Sequence, residues 1–163
     1  MWNLNADAET ALRTLDRTVE LNPNLAAAWG YSGLVHAYAG DSAIAIEHCA
    51  RAMRLSPLDP GRWIFLFGTG IAHLSERRLD DALVWLQRAR EEHPNFPSSL
   101  LAWLASTLAH LGRLEEARSM LQPLLAEPPR RMSTLRWGSV FFKRAAVWQF
   151  ILDGLRLAGL PDT

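Results

Sequence analysis

The chain has almost no cysteine, no excess of charge and no long apolar run, and each shortage removes a class of protein. Its single cysteine, Cys49, allows no internal disulfide and no thiolate cluster for a metal. That usage suits a reducing cytoplasm, where the chain is expected to reside. The 17 Lys and Arg side chains are matched by 17 Asp and Glu. No long-range field then draws in a phosphate backbone, and nucleic acid is not expected as a partner. The longest mostly apolar stretch, Trp63 to Leu74, is interrupted by Gly68, Gly70 and His73. It falls short of the roughly 20 residues that cross a bilayer, so no membrane span is expected. Met1 to Ala11 has neither a basic start nor an apolar stretch, which argues against a secretory leader. What remains is a 163-residue chain, 49% hydrophobic, long enough to bury one core.

Its organisation shows in its prolines. Pro23, Pro57, Pro94 and Pro129 each close an apolar-periodic stretch, at separations of 34, 37 and 35 residues. Proline lacks the N–H and clashes with the preceding turn, so it stops a helix. A stop near every 34 residues is the period of a stacked helix-turn-helix unit. The fullest unit, 26–58, carries Trp29 and Gly33 in its first helix and Gly40-Asp41 at the turn. Ala45, Cys49, Ala52 and Leu55 follow in its second helix, before Pro57. Small residues at Gly33 and Ala45 let two antiparallel helices approach closely.

This pattern resembles the tetratricopeptide (TPR) consensus of a tryptophan, a small residue, a glycine turn, two alanines and a closing proline. His36 stands where a tyrosine is expected. The resemblance implies an all-α, right-handed solenoid of antiparallel helix pairs, read as one domain over 1–163. A half repeat is expected at about 2–23, with repeats at about 26–58, 60–95 and 97–129. The 60–95 unit has Trp63, Gly70, Ala82, Leu86 and Ala89, and its three extra residues are assigned to a first helix about one turn longer. The 97–129 unit has Gly112, Ala117 and Leu121, with Leu100 or Leu101 replacing the tryptophan. Its Pro123 is expected to kink or shorten the second helix. Trp2-Asn3-Leu4 reads as the stub of an earlier helix. In the C-terminal segment, 130–163, Val140, Val147, Trp148, Ile151 and Leu155 recur at helical spacing before Gly159 and Pro161. A capping helix from Phe141 to Ala158 is expected over the last repeat.

No group of residues argues for catalysis. His36, His73 and His110 recur at intervals of 37 residues, placing them at equivalent positions of neighbouring units. No carboxylate or cysteine completes the three or four ligands that zinc requires, so neither a metal nor a cofactor is expected. The pairs Asp80-Asp81, Glu91-Glu92 and Glu115-Glu116 lie at helix ends beside arginines, where acids in a first turn complement the helix dipole. Gly68-Thr69-Gly70 lacks the lysine and preceding strand of a phosphate loop, and close helix packing explains it better. Cys49 lies on an inward stripe and acts as a small hydrophobe. Arg130-Arg131 and Lys143-Arg144 flank aromatics, but Gln149 and Asp153 make the polar face too mixed for a membrane-surface helix.

In the TPR register the first helix of each repeat lines the concave side. Leu34, Tyr38, Phe67, Ile71, Leu74, Ser106 and His110 then line a groove that is apolar and nearly uncharged. Repeats that clamp an acidic tail use lysine, arginine and asparagine at such places, and none stands here. The expected role is that of a protein–protein interaction scaffold, not an enzyme. Its groove would take a peptide or an apolar helix, or be filled by the chain's own C-terminal segment. The partner is expected to be another protein or an adjacent domain, with no small-molecule substrate. Phe150 to Pro161 also resembles the closing stretch of TPR regions behind bacterial class III nucleotide cyclases, and Asn22 to Gly30 fits the same group. Similar regions follow winged-helix regulators. That likeness implies a regulatory appendage of a larger bacterial signalling protein.

Overall fold

The computed structural model describes residues 4–93, 95, 97–126, 135 and 142–161. Trp2, Asn3, Pro94, Pro129, Arg130, Arg131, Val140 and Phe141, which figured in the expectations above, lie outside them. The described helices are α1 (Leu4–Leu21), α2 (Ala26–Ala39), α3 (Ser42–Leu55), α4 (Arg62–Ser75), α5 (Leu79–Glu92), α6 (Ser98–His110), α7 (Leu114–Leu125) and α8 (Ala145–Leu157). No strand occurs among the described residues. Helices α2–α3, α4–α5 and α6–α7 form hairpins, α2 packs on α4, α5 packs on α6, and α8 packs on α6. The architecture is an all-α repeat solenoid.

One column of small and branched side chains holds each hairpin. Ala45, Cys49 and Ala52 of α3 recur as Ala82, Leu86 and Ala89 of α5, and as Ala117, Leu121 and Leu124 of α7. All nine are at most 1% exposed. Opposite them α2 and α4 present glycine where the backbones meet, and α6 has Ala105 at the same place. A Cβ on Gly33 would lie 2.5 Å from Cys49 Sγ and 2.9 Å from the Ala45 carbonyl oxygen. A Cβ on Gly68 would lie 3.0 Å from Cys49 Sγ and 3.3 Å from Leu34 Cα. Gly68 and Gly70 are thus packing residues inside α4.

Each hairpin turn closes the same way. The amides of Asp41, Arg78 and Arg113 donate to the carbonyls of His36, His73 and Leu108, five residues back. Such a closure places one residue in the left-handed region. That residue is Gly40 (φ 88°), Arg77 (φ 58°) or Gly112 (φ 77°). Arg77 therefore holds a conformation that costs a side-chain-bearing residue roughly 1–2 kcal/mol. Past the turns, acids take up the dipole at the next helix start: Asp80 and Asp81 in α5, Glu115 and Glu116 in α7. At the other end of α5, Glu92 pairs instead with Arg62 of α4.

Two expectations change. Helix α4 has 14 residues, the same as α2. The extra residues of this unit lie outside it, two in the linker before α4 and one in the turn after it. A loop absorbs an insertion without shifting a packed face, whereas an added helical turn would displace every contact beyond it. Helix α7, as expected of Pro123, is shorter: it ends at Leu125, two residues past the proline, with 12 residues against 14 in α3 and α5. The final helix begins at Ala145, not near Phe141, because Arg144 is extended (φ −91°, ψ 100°). The preceding residues are held elsewhere: the Lys143 amide donates to the Tyr38 carbonyl at 3.3 Å, and Phe142 is buried.

Candidate functional site

The left-handed turn residues set the register of the concave face. Counting back from Gly40, Arg77 and Gly112 aligns Leu34 with Ile71 and Ser106, and Tyr38 with Ser75 and His110. These residues thus hold related places on α2, α4 and α6; α2 packs on α4, whereas α6 packs on α5, α7 and α8. Most of them are covered by the chain itself. Phe67, Ile71 and Leu74 are 2%, 0% and 1% exposed, and belong to one core cluster with Phe142, Val147, Trp148, Ile151 and Leu155. Leu34 and Tyr38 are half-buried against the same cluster. Ser106 is fully buried, and its Oγ donates to the Ile151 carbonyl at 2.9 Å. His110 Nε2 donates to the Phe150 carbonyl at 2.7 Å, and its ring stacks on Phe150 with centroids 3.8 Å apart.

Several residues that the sequence did not single out complete this arrangement. Phe142 meets Tyr38 edge-on at 5.2 Å and Trp103 at 5.8 Å, so one ring bridges α2 and α6. Trp103 also meets Trp148 edge-on at 5.7 Å. Arg77 lays its guanidinium over the Phe150 ring at 4.7 Å. Gly154 permits the close descent of α8, since a Cβ there would lie 2.3 Å from Ser106 Oγ and 2.8 Å from the His110 ring. Two of these carried a signal: a glycine interrupts the apolar period of the last helix, and arginine stands where the other two turns have glycine. Phe142 and Trp103 read as ordinary core residues.

The even spacing of the histidines does not make them equivalent. His36 and His73 lie four residues before their left-handed turn residue, whereas His110 lies two before Gly112. One residue of helix is about 100° of rotation, so His110 faces elsewhere and reaches α8. His36 Nδ1 lies 3.1 Å from the Asp41 carboxylate, and His73 Nδ1 lies 3.6 Å from Asp81, too long for a hydrogen bond. Among the described residues no three His, Cys, Asp or Glu side chains converge as metal ligands. The tryptophans differ in the same way. Leu66 and Leu101 take the place of Trp29, and Trp63 stands one turn earlier, edge-on to His93 at 4.7 Å.

Titrating groups here are tuned toward neutrality. Burial pushes the Cys49 thiol up to about 12, helped little by the opposing bond to Thr69, so it is no nucleophile. Burial likewise raises the Tyr38 hydroxyl. His73 is lowered first by burial and then by Arg78, against Asp81. His48, which shares a 3.0 Å hydrogen bond with Ser32, is lowered first by burial and then by His36. A face lined by an imidazole N–H, hydroxyls and hydrocarbon suits an apolar occupant that brings backbone acceptors of its own.

The register and these columns define the class of protein, and comparison with known proteins agrees. Models of the tetratricopeptide repeat match residues 5–60, 33–99 and 73–136. The chain belongs to the tetratricopeptide repeat family. It is also similar to peroxisome biogenesis protein 5 of Arabidopsis thaliana, 32% identical over 118 residues, or 71% of this chain. The matched segment spans 16% of that protein's length. Among the described residues no helix is long and apolar enough to cross a membrane.

Proposed function

We propose that this chain is a non-catalytic interaction scaffold whose concave face, formed by α2, α4 and α6, binds a helix. One observation carries the reading: the α6 side of that face already receives a helix. Helix α8 lies on it through apolar side chains and two backbone carbonyls, and carbonyls are groups that any helix offers. Membership in a repeat family and similarity to a protein named for organelle biogenesis support a role in binding proteins. The site is Leu34, Tyr38, Phe67, Ile71, Leu74, Ser106 and His110, and the partner is another protein or an adjacent domain. The cytoplasm is the proposed compartment, on the ground of the single buried thiol.

Photo-crosslinking tests this reading. A photoreactive residue at Leu34 or Tyr38 is expected to trap a protein partner, while one at the exposed convex positions Ile44 or Val84 is not. Trapping from the convex positions alone would move the site off the groove. Substituting Phe67 would be a poor probe, since at 2% exposure its loss unfolds the core. A second reading, a regulatory appendage of a bacterial nucleotide cyclase or winged-helix regulator, rests on the wording of Phe150 to Pro161. An in-frame cyclase or DNA-binding domain encoded ahead of Met1 would establish it, and its absence would remove it.

A further inference from the structure

Helix α8 meets the groove through features that another chain can supply. The two hydrogen-bond acceptors are main-chain carbonyls of Phe150 and Ile151, and both donors, His110 and Ser106, belong to α6. Side-chain donors reach carbonyls inside a helix only where that helix comes very close. Gly154 allows this, because Ser106 Oγ and His110 occupy the place of its missing Cβ. Among the side chains of α8, Phe150 is held between the His110 ring and the Arg77 guanidinium. Arg77 supplies that contact from a left-handed backbone position that glycine takes in the other two turns.

We infer that α8 is an internal pseudo-ligand, and that the groove selects partner helices with an aromatic residue followed four residues later by glycine. The inference rests on the proposed helix-binding role and specifies its partner and its regulation. A helix of this pattern presents the same ring to His110 and Arg77, and the same bare backbone to Ser106. It can bind only while α8 is displaced. A tethered competitor acts at high effective concentration, so it weakens every partner by the fraction of time it leaves the groove. A change that loosens α8 within the chain thereby strengthens binding of an outside helix.

The test uses the full chain and a labelled synthetic peptide of residues 142–160. Two Gly154→Ala changes are made separately, one in the chain and one in the peptide. The Gly154→Ala chain is expected to bind the unaltered peptide about tenfold more tightly than the wild-type chain does. The Gly154→Ala peptide is expected to bind that chain about tenfold more weakly than the unaltered peptide. Equal affinity of the two peptides overturns the glycine rule, and equal affinity of the two chains overturns the competition. Should the altered chain fail to fold, amide exchange of the wild-type chain decides. Exchange in α8 faster than in α6 supports displacement, and exchange at one common rate contradicts it. Failure here, with cross-links still trapped at Leu34 or Tyr38, leaves the scaffold reading intact; loss of both removes the groove altogether.

Discussion

Helices α1 and α8 both lie against the stacked hairpins, yet they bury very different surfaces. Helix α8 buries Val147, Trp148, Ile151, Gly154 and Leu155. From Glu9 to Leu21, α1 buries no residue fully, and its best-covered positions, such as Leu12, Leu15 and Val19, are half-buried. Ala11 stands where α3, α5 and α7 have Ala45, Ala82 and Ala117, each 0% exposed, but it stays partly open. The face of α2 beside it is open too: Tyr31 is 46% exposed, whereas its equivalent Trp103 is 4% exposed. A repeat helix gains most of its stability from the neighbour that covers its apolar stripe. Helix α8 packs on α6, and its Trp148 stacks on Phe142, whose ring also meets Tyr38 of α2; α1 packs on α2 less extensively.

Truncating matched leucines probes this contrast most strongly. Leu155→Ala is expected to cost about 2–5 kcal/mol, the range for a buried leucine. Leu15→Ala is expected to cost about 1 kcal/mol, because a half-buried side chain has less to lose. Urea unfolding of both variants measures the gap, and equal losses would show that α1 is packed as firmly as α8.

A smaller effect separates the latch on α8 from the fold beneath it. Arg77→Gly relieves a left-handed backbone worth roughly 1–2 kcal/mol. It also removes a ring contact of about 0.5–1 kcal/mol. Overall stability therefore changes by only about 1 kcal/mol, while amide exchange in α8 rises relative to α6. Unchanged exchange in α8 would mean that Arg77 does not restrain it.

Acid sharpens the comparison least, and from the other end. His48 and His73 are held below their ordinary value by burial, so the folded chain binds fewer protons than the unfolded one. Stability from these groups is full above about pH 6.5 and falls as acidification passes through that value. Melting temperatures taken between about pH 8 and pH 5 should fall accordingly, and His48→Gln should flatten part of the decline. A rise in stability over that range would contradict the burial of either ring.

The hairpin columns were legible because one physical requirement, close backbone approach, allows few residues. Gly33, Ala45, Cys49 and the prolines announce it at a fixed period. The proposed site was legible through register alone, which is local and repeats in α2, α4 and α6. What covers that face was only one of the alternatives the sequence allowed. Phe142 and Trp103 join elements far apart in the chain, and a ring that bridges two helices has no sequence period. Equal spacing misled for His110, because the linker before α6 and α6 itself are each one residue shorter than their counterparts at α4, which changed its rotation about the helix. The three extra residues were misassigned for a related reason, since a count of residues between prolines does not tell loop from helix.

The central claim is that the helix-binding face is the one α8 occupies, and proton NMR of the full chain tests it directly. Nuclear Overhauser contacts between the rings of His110 and Phe150, and between Tyr38 and Phe142, are predicted, with Phe150 protons shifted upfield by the stacked imidazole. Solvent-like shifts for Phe150 and Phe142, with neither contact present, would contradict it.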